Sequence, residues 1–416
     1  MIKRFNDGRD WFFERRFGMF VHWGLYALPA WHEQILWRSD YKRSDYEKLA
    51  GEFNPVNFDP DAWLDAAETA GMEYLCFTTK HHDGFCMWDT KQTDYRITNT
   101  PYGKDVLAML AEACARRGIL LCLYYSLPDW HHPNYPNEGR HHEMFGPRPG
   151  DEPDGAKYLE YVREQVRELV TGYGPIHAFF WDVNVAGFHD PTLNALIREH
   201  QPQALINDRG PSEGDYSTPE RHVPAGREFS SPTEACQSMG RESWGYREDE
   251  SYYSHKFMMQ SIDRILAMGG NYLLNVGPKP DGTLPGECVT GLRRIGDWYA
   301  RVLDSLHGTI PASHMLTTPE THLFRYDEVL LTRRDNTFYV HAPYDLATDG
   351  IVLDGIDAEP VSVVLLNDGR DLEWAVDTIP WRWTQKPCLR LKGLPVNEIT
   401  DEVLVVRVDF GDRVAE

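Results

Sequence analysis

The stretch His-Ala-Phe-Phe-Trp-Asp-Val-Asn, residues 177–184, is a short apolar run that stops on a carboxylate. Ala178 to Trp181 are typical of a strand covered on both faces, where a charge such as that of Asp182 is costly unless it is paired or used. The alternative is that Asp182 is only the N-cap of a following helix, since Asp often begins one. Several other strand-like runs also end in polar and aromatic residues, which favours a functional carboxylate.

The same pattern of a strand followed by a helix recurs along the first 306 residues. The predicted strands are 17–24, 73–79, 119–125, 177–182, 204–209, 227–236 and 271–276. The predicted helices are 43–50, 60–70, 104–117, 155–172, 190–199, 254–267 and 286–306. Parallel neighbours need crossover connections, so the pattern predicts an α/β fold, a (β/α)8-like TIM barrel that is irregular because no eighth strand is evident.

Polar side chains stand at the ends of these predicted strands. In a barrel of this kind the carboxyl ends of the strands form the active face, so we expect these side chains to meet in one pocket. They are His22, His81, His82, Tyr125, Asp182 and Arg209.

Helical periodicity disappears after about residue 310. Short β-type runs follow, separated by Asp, Asn and Gly, at 321–332, 337–341, 361–366 and 403–408. This composition predicts a C-terminal antiparallel β-sandwich. We therefore expect two domains, a catalytic barrel over residues 1–310 and the sandwich over residues 311–416.

The formal net charge is −22, which argues against nucleic acid or a membrane as partner, because both reward Lys and Arg. The first residues do not resemble a signal peptide, and no run of about eighteen apolar residues predicts a transmembrane helix. The seven Cys are scattered and lack zinc-site spacing, which is typical of reduced thiols. We expect a cytoplasmic protein that acts on a neutral or cationic small molecule, and a homo-oligomer stays open.

Two carboxylates among aromatic rings and histidines are the constellation for glycosidic bond hydrolysis. The rings stack on the apolar face of a sugar, while His, Arg and Asn side chains donate hydrogen bonds to its hydroxyls. In such a site Asp182 attacks the anomeric carbon and a Glu from a loop protonates the leaving oxygen.

Two other functions stay open at this point. One is a metal-dependent barrel hydrolase, with Zn²⁺ or Mn²⁺ bound around His81 and His82. Adjacent histidines in an extended chain point to opposite sides and rarely chelate one ion, so we expect no metal and no other cofactor. The other is a non-catalytic sugar-binding barrel, since an aromatic-lined barrel that has lost its carboxylates still binds; here both carboxylates are present.

An ordered set of short motifs adds to these observations. The motifs are FGMFVHWG at 17–24, KHHDGF at 80–85, WD at 88–89, YYS at 124–126, NDR at 207–209, GDY at 214–216, TPE at 218–220, SWGY at 243–246, NVGP at 275–278 and DG at 281–282. Each is weak alone, but the ordered set, over about residues 10–305, resembles the α-L-fucosidases of glycoside hydrolase family 29.

The resemblance implies a retaining exo-hydrolase that releases terminal α-L-fucose from a fucosylated oligosaccharide or glycoconjugate through a covalent fucosyl-Asp182 intermediate. It implies that Asp182 is the nucleophile and that Glu220 is the acid/base, with Glu234 as the second candidate. The implied substrate-binding residues are His22, Trp37, His81, His82, Tyr125, Arg209 and Trp244.

Two positions depart from the family pattern. Val183 follows the implied nucleophile, where the family usually carries Gly or Met. In the Glu-Trp pair that many members carry after the first strand, Trp37 fits the Trp, but Leu36 stands where Glu would be and Glu33 lies three residues earlier. Linkage, aglycone and tolerance of a related sugar such as α-L-galactose stay open.

Overall fold

The computed structural model describes residues 2–317, 328–378 and 386–411. Seven strands form one parallel sheet: β1 Phe17–Val21, β2 Tyr74–Lys80, β3 Leu120–Ser126, β4 Ala178–Asp182, β5 Leu205–Ile206, β6 Glu234–Ser238 and β7 Asn271–Val276. Their order across the sheet is β5-β4-β3-β2-β1-β7-β6. All seven strands are buried over all or nearly all of their length, because the sheet is covered on both faces.

Helices follow most of these strands. They are α1 Trp11–Glu14, α2 Ile35–Arg38, α3 Arg43–Tyr46, α4 Pro60–Thr69, α5 Val106–Arg117, α6 Gly155–Gly172, α7 Pro191–His200, α8 His255–Ala267 and α9 Gly286–Val302. Short 3₁₀ helices occur at Gly8–Asp10, Leu25–Ala27, Glu47–Gly51, Ile97–Asn99, Leu303–Ser305 and Ser313–Met315. Side chains of Asp59, Asp105, Asp154 and Asp190 cap backbone N–H groups where α4 to α7 begin. Within the described ranges, no helix combines the length and apolarity needed to cross a bilayer.

The parallel sheet curls but does not close into the predicted eight-stranded barrel, because its edge strands β5 and β6 are not paired with each other. β5 is only two residues long, against a predicted strand over 204–209, and β6 begins at Glu234, against a predicted strand over 227–236. The chain between them is rich in Gly and Pro, which interrupt strand ladders. Part of it, residues 216–220, lies in the gap and makes single parallel bridges to both edges.

Side-chain alternation divides each strand between two environments. In the pairing of β3 with β4, Tyr124 lies beside Phe180 and Ser126 beside Asp182. Tyr124 and Phe180 belong to an apolar cluster inside the curled sheet, together with Phe20 of β1. Their neighbours, such as Tyr125, belong to the larger core shared with the helices. Consecutive residues of one strand therefore face opposite layers.

The C-terminal part contains two antiparallel sheets. Its strands are β8 Ile310–Pro311, β9 Leu330–Arg334, β10 Thr337–Ala342, β11 Gly350–Leu353, β12 Ser362–Leu365, β13 Glu373–Asp377, β14 Cys388–Lys392 and β15 Leu404–Asp409. The sheet orders are β12-β15-β10-β9-β8 and β11-β14-β13. Residues of both sheets, among them Leu331, Val406, Leu353 and Leu391, share one apolar cluster. Most of the predicted run at 321–332 lies outside the described residues.

A buried contact joins this part to α8. His341 Nδ1 lies 2.7 Å from Asp263 Oδ1, and its Nε2 lies 3.0 Å from the Thr332 hydroxyl. A hydroxyl, an imidazole and a carboxylate in line resemble a nucleophile triad. All three side chains are sealed from solvent, and the Thr332 hydroxyl also lies 2.6 Å from the Ser305 carbonyl oxygen. The contact therefore fixes the packing of the C-terminal sheet.

A buried ion pair positions the loop that follows β2. Lys80 Nζ, at the end of β2, donates to Asp129 Oδ2 at 3.0 Å, and both side chains are shielded from solvent. Asp129 Oδ1 also accepts the backbone N–H groups of His131 and His132. Burial raises the pKa of Asp129, but the charge of Lys80, the neighbouring His132 and His131 and the hydrogen bond from Lys80 together outweigh burial and hold the pKa at about 2. Because Lys80 immediately precedes His81, the ion pair anchors the loop that follows β2, which carries His81 and His82, to the loop after β3.

We expect Lys80→Met to lower the free energy of unfolding by about 3–5 kcal/mol, because it leaves the Asp129 carboxylate buried without its counter-charge. Urea unfolding followed by circular dichroism measures this loss. The double variant Lys80→Met/Asp129→Asn is the control, and it should lose much less. Equal losses in the two variants would contradict the ion pair.

Candidate active site

One pocket lies at the carboxyl ends of β1 to β4, with walls from the loops that follow. Seven residues predicted from the sequence line it: His22, His81, His82, Asp182, Arg209, Glu220 and Trp244. The other lining residues are Phe20, Glu33, Gln34, His142, Phe180, Val183 and Cys236. The predicted convergence therefore holds for five of the six strand-end residues, the exception being Tyr125.

Asp182 is the last residue of β4 and both of its oxygens are hydrogen-bonded. Oδ2 accepts the Tyr124 hydroxyl at 2.6 Å, and Oδ1 accepts Arg209 Nη1 at 3.0 Å. His82 Nε2 lies 3.8 Å from Oδ2. Burial raises the pKa of Asp182, but the Arg209 charge, His82 and these hydrogen bonds outweigh it and lower the pKa. Asp182 is therefore held as an ionised, oriented carboxylate.

Arg209 brings the second carboxylate to the first. Its Nη1 atom donates to Glu220 Oε2 at 2.8 Å as well as to Asp182 Oδ1. Two oxygens that contact one nitrogen in this way lie no more than about 6 Å apart, close to the roughly 5–5.5 Å of retaining glycosidases. The Glu220 side chain is 41% exposed, against 13% for Asp182. Glu220 thus stands at the pocket mouth and Asp182 at its base.

Three buried histidines form one wall of the pocket. His22 Nδ1 lies 2.7 Å from Asn275 Oδ1, and His82 Nδ1 lies 2.6 Å from the Ser126 hydroxyl. His81 Nδ1 is buried and has no hydrogen-bond partner. Burial lowers the pKa of His22 to about 4 and of His82 to about 3, and holds the pKa of His81 well below its usual value. All three rings are neutral near pH 7, so they suit hydroxyl groups better than anions.

Glu33 lines the pocket although the sequence pattern placed no glutamate at the expected position. Its Oε2 accepts the Ser243 hydroxyl at 2.8 Å and the Trp244 backbone N–H at 2.9 Å. Burial raises the pKa of Glu33, but His32, His22 and these donors outweigh it and lower the pKa. The loop before α2 therefore delivers a carboxylate three residues earlier than the family spacing suggests.

His142 is a lining residue that the sequence did not reveal. It sits in the long loop between β3 and α6 with φ of 66°, a left-handed conformation that is uncommon outside glycine. Trp37 stacks on its ring with 5.3 Å between centroids, and on the other side the His82 ring lies 5.4 Å away. The predicted Trp37 is therefore placed behind His142 and is not among the lining residues.

Tyr125 does not reach the pocket, which corrects the strand-end prediction. Its hydroxyl donates to Gln165 Oε1 of α6 at 2.6 Å, and Lys80 Nζ lies 4.4 Å from its ring centre. The neighbouring Tyr124 faces the inside of the sheet and contacts Asp182 instead. The reason is alternation, because adjacent residues of a strand point to opposite faces.

Glu234 lies at the other end of the sheet. It is the first residue of β6, beside Asn271, the first residue of β7, and its Oε2 accepts the Tyr74 hydroxyl at 2.7 Å. Burial raises the pKa of Glu234 to about 7. Since parallel strands keep their amino ends at one edge, the structure brings Glu220, and not Glu234, to Asp182.

Val183, which follows Asp182, adopts a left-handed backbone conformation with φ of 51°. A β-branched residue is strained there, at a cost of about 1–3 kcal/mol, whereas glycine adopts this φ freely. The departure from the family pattern therefore falls where the chain turns sharply away from the end of β4. The turn lets Asp182 point inward while the following loop leaves the pocket.

The described residues contain no group of three or more His, Cys, Asp or Glu side chains arranged to hold a metal ion. A larger groove of about 620 Å³ lies nearby, lined mostly by Ser, Thr and Pro residues over 208–233. It contains one carboxylate, that of Asp208, and shares Arg209 with the pocket. The acid, base and ring groups are therefore concentrated in the smaller pocket.

The pair of carboxylates Asp182 and Glu220 is the feature of this pocket that indicates its chemistry. A glycoside hydrolase needs one carboxyl on each side of a single bond, and the spacing across Arg209 supplies them. The class of glycoside hydrolases follows from that pair.

Comparison with known proteins identifies the family. The family model "Alpha-L-fucosidase" matches residues 3–302. Tissue alpha-L-fucosidase of Mus musculus is 28% identical over 341 residues, which cover 73% of this chain and 72% of that protein. The solved structure of alpha-L-fucosidase isoenzyme 1 from Paenibacillus thiaminolyticus is 32% identical with a TM-score of 0.81, over 98% of this chain and 100% of that one.

An alpha-L-fucosidase of Bacteroides thetaiotaomicron, solved as a trapped covalent intermediate, shares the fold with a TM-score of 0.79 at 24% identity, over 98% of this chain and 97% of that one. The chain belongs to the alpha-L-fucosidase family, and the resemblance drawn from its sequence motifs is confirmed.

The two adjacent tyrosines allow a matched test of the pocket geometry. Tyr124→Phe removes a hydrogen bond to an ionised carboxylate, typically worth about 1.5–3 kcal/mol, so we expect kcat to fall roughly 10- to 100-fold. Tyr125→Phe removes only the hydrogen bond to Gln165, and we expect kcat to stay unchanged. Steady-state kinetics with an aryl α-L-fucoside compares them. If Tyr125→Phe loses activity and Tyr124→Phe does not, the assignment of Tyr124 to the pocket side of β3 is wrong.

The variant Glu234→Gln tests whether the Glu234 carboxyl is a buried structural group or the acid/base of the reaction. Between the ordinary pKa of 4.5 and the folded pKa of about 7, the unfolded chain releases the Glu234 proton while the folded chain keeps it. The free energy of unfolding therefore falls as pH rises through this window. We expect the midpoint of thermal unfolding of Glu234→Gln to exceed that of the wild type at pH 8, and the two to converge near pH 4.5. The kcat of this variant should remain near the wild-type value, and a collapse of kcat would make Glu234 catalytic.

Proposed function

We propose that the chain is a retaining, exo-acting α-L-fucosidase that releases terminal α-L-fucose from fucosylated oligosaccharides or glycoconjugates. The observation that carries this proposal is the contact of Asp182 and Glu220 with the same Arg209 nitrogen. That contact holds one oxygen of each carboxylate within about 6 Å of the other, which supports a double displacement over the wider carboxyl spacing of roughly 6.5–9.5 Å in inverting enzymes.

In the first half of the reaction Asp182 attacks the anomeric carbon of the fucoside. The bond from that carbon to the leaving oxygen breaks, its electron pair goes to the leaving oxygen, and the Glu220 carboxyl supplies the proton. Tyr124 and Arg209 hold Asp182 by both oxygens, so the attack needs little reorientation. The product of this half is a fucosyl ester of Asp182.

In the second half the Glu220 carboxylate takes a proton from water, and the water oxygen attacks the same carbon. The ester bond breaks and its electron pair returns to Asp182. Two inversions give net retention, and Glu220 regains the proton it lost.

The other lining residues have the chemistry of a site for one terminal sugar. Neutral imidazoles of His22, His81 and His82 exchange hydrogen bonds with hydroxyls. The rings of Phe180 and Trp244 offer apolar surface for a deoxy sugar. Because Glu220 stands at the mouth, the leaving group stays outside, which supports exo action.

Three further proposals concern the whole chain. Residues 216–220 take the place of the missing barrel strand, because they bridge to Asn207 on one side and to Thr233 and Cys236 on the other. The two C-terminal sheets form a β-sandwich domain over about residues 311–416, since they share one apolar cluster. We propose that the enzyme works in the cytoplasm, because all seven of its cysteines are buried thiols, as is typical of a reducing compartment.

The proposed function is tested by fucose release and by chemical rescue. The wild type should release nitrophenol from the α-L-fucoside and from none of the corresponding galactoside, xyloside or glucoside. Asp182→Ala should lower kcat by several orders of magnitude because no other group can form the ester. Azide should then restore turnover and yield β-L-fucosyl azide, identified by proton NMR.

Asp249→Ala, which removes an exposed carboxylate away from the pocket, is the control and should match the wild type. Release from the other glycosides but not from the fucoside would make the substrate assignment wrong. An Asp182→Ala variant that azide does not rescue would leave Asp182 a structural carboxylate.

A further inference from the structure

Arg209 is unusual among the lining residues. Of the described residues that form the pocket, it alone is an arginine or lysine, and it faces two of the three carboxylates there. A single atom, Nη1, contacts both Asp182 and Glu220, so the two carboxylates compete for one donor and one positive charge. A residue that only oriented the nucleophile would not need the second contact.

The guanidinium is held in place from its other side. Nε donates to the Thr218 hydroxyl at 2.6 Å, and Nη2 donates to the Thr218 backbone carbonyl at 2.8 Å. These two bonds fix the plane of the guanidinium while Nη1 points at the carboxylates. The position of the Arg209 guanidinium is therefore fixed by Thr218. A change in the carboxylate with which it forms an ion pair then follows from a change in the charge of Asp182 or Glu220.

Other charged groups near Glu220 are directed elsewhere. The Arg221 guanidinium lies over the Trp244 ring at 4.6 Å, and its Nη1 donates to the Arg241 carbonyl. His222 Nδ1 contacts the backbone carbonyl of Glu220, 2.9 Å away, and not its carboxylate. The third group, Cys236, is a buried thiol whose pKa burial raises, so it stays neutral. Arg209 is thus the cation in contact with the Glu220 carboxylate.

We propose that Arg209 is a positioning residue that changes its ion-pair partner during the reaction, from Asp182 in the free enzyme to Glu220 in the covalent intermediate. The inference rests on the proposed double displacement. In the proposed first step Asp182 attacks as an anion and Glu220 gives up a proton, so at the start of that step the anion in contact with Arg209 Nη1 is Asp182. As Asp182 becomes a neutral ester, Glu220 gives its proton to the leaving oxygen and becomes the anion that Arg209 pairs with.

The positive charge of Arg209 is balanced in both states, because one of the two carboxyl groups is ionised each time. In the second step water gives its proton to Glu220 and its oxygen to the anomeric carbon, and the electron pair of the ester bond restores the Asp182 anion. Arg209 then returns to its first partner. The residue therefore stabilises Glu220 as the base of the second step, beyond orienting the nucleophile.

The experiment resolves the two steps with 4-nitrophenyl α-L-fucoside, whose good leaving group needs little acid assistance in the first step. Arg209→Met removes the charge and keeps much of the length. We expect nitrophenol to appear in a burst followed by turnover about 100-fold slower than in the wild type, the size of a lost general base. Intact-mass spectrometry should show the fucosyl-enzyme accumulating, and azide should speed turnover and yield α-L-fucosyl azide.

Thr218→Val is a milder second variant, which keeps the arginine and removes the hydroxyl acceptor that fixes it. It should show the same burst with a smaller effect, of about tenfold. Arg293→Met, on the exposed side of α9, is the control and should behave as the wild type. If Arg209→Met does not fold, Thr218→Val still decides the question.

Equal slowing of the burst phase and of turnover in both variants, with no accumulated intermediate and no effect of azide, would overturn the proposal and leave Arg209 as a group that only orients Asp182. Failure of the proposed function has a different signature, because the wild type would then release no nitrophenol in the same assay.

Discussion

Side-chain alternation in a parallel sheet covered on both faces is the constraint from which the pocket follows. Every second residue of β3 and β4 faces inward, so Tyr124 and Phe180 lie under the site while Asp182 comes to rest at its base. The residues between them serve the outer layer, where Tyr125 contacts Gln165. A shift of one residue in either strand would exchange the two sets and remove the nucleophile from the pocket.

Burial then sorts the ionisable groups of the pocket into neutral and charged ones. The imidazoles of His22, His81 and His82 lose their proton, because burial makes a positive charge costly and, for His22 and His82, outweighs the nearby carboxylates. Carboxylates stay ionised where donors are supplied, by Arg209 and Tyr124 for Asp182 and by Ser243 and Trp244 for Glu33. The pocket thus has neutral imidazoles that suit the hydroxyls of a sugar, and its charged groups are the carboxylates and Arg209.

Much of this arrangement could be predicted from the sequence, because strand ends and short motifs are local features. Asp182 and the histidines of the 80–85 motif were predicted from where their strands stop. The register between strands is not local, and it decided the exchange of Tyr125 for Tyr124. Glu33 depends on donors 210 residues away in the chain, and His142 reaches the pocket through the left-handed conformation of a long loop. The sequence shows Glu33 only as a glutamate three residues before the expected position, and it gives no signal for His142.

The main features of the fold could also be predicted from the sequence, but not all of its details. Seven parallel strands were predicted and seven are present among the described residues, but the sixth was predicted too early, over 227–236, whereas β6 is Glu234–Ser238 and the residues before it form a loop. Glu220 and Glu234 are close in sequence, and only the path of that loop shows that they reach opposite ends of the sheet. Fold class therefore follows from composition and periodicity, whereas the choice between the two glutamates needs three-dimensional contacts.

The unclosed edge of the sheet has a consequence for how such an enzyme can diverge. Glu220 is carried by a segment held through single bridges to its neighbours, while Asp182 belongs to a strand with a full ladder on β3. Insertions, deletions and exchanges between β5 and β6 can therefore move the proposed proton donor with little effect on the core. The proposed nucleophile lies on a regular strand of the sheet, whereas the proposed proton donor lies on a loop segment, so the two halves of the proposed chemistry are open to sequence change to different degrees.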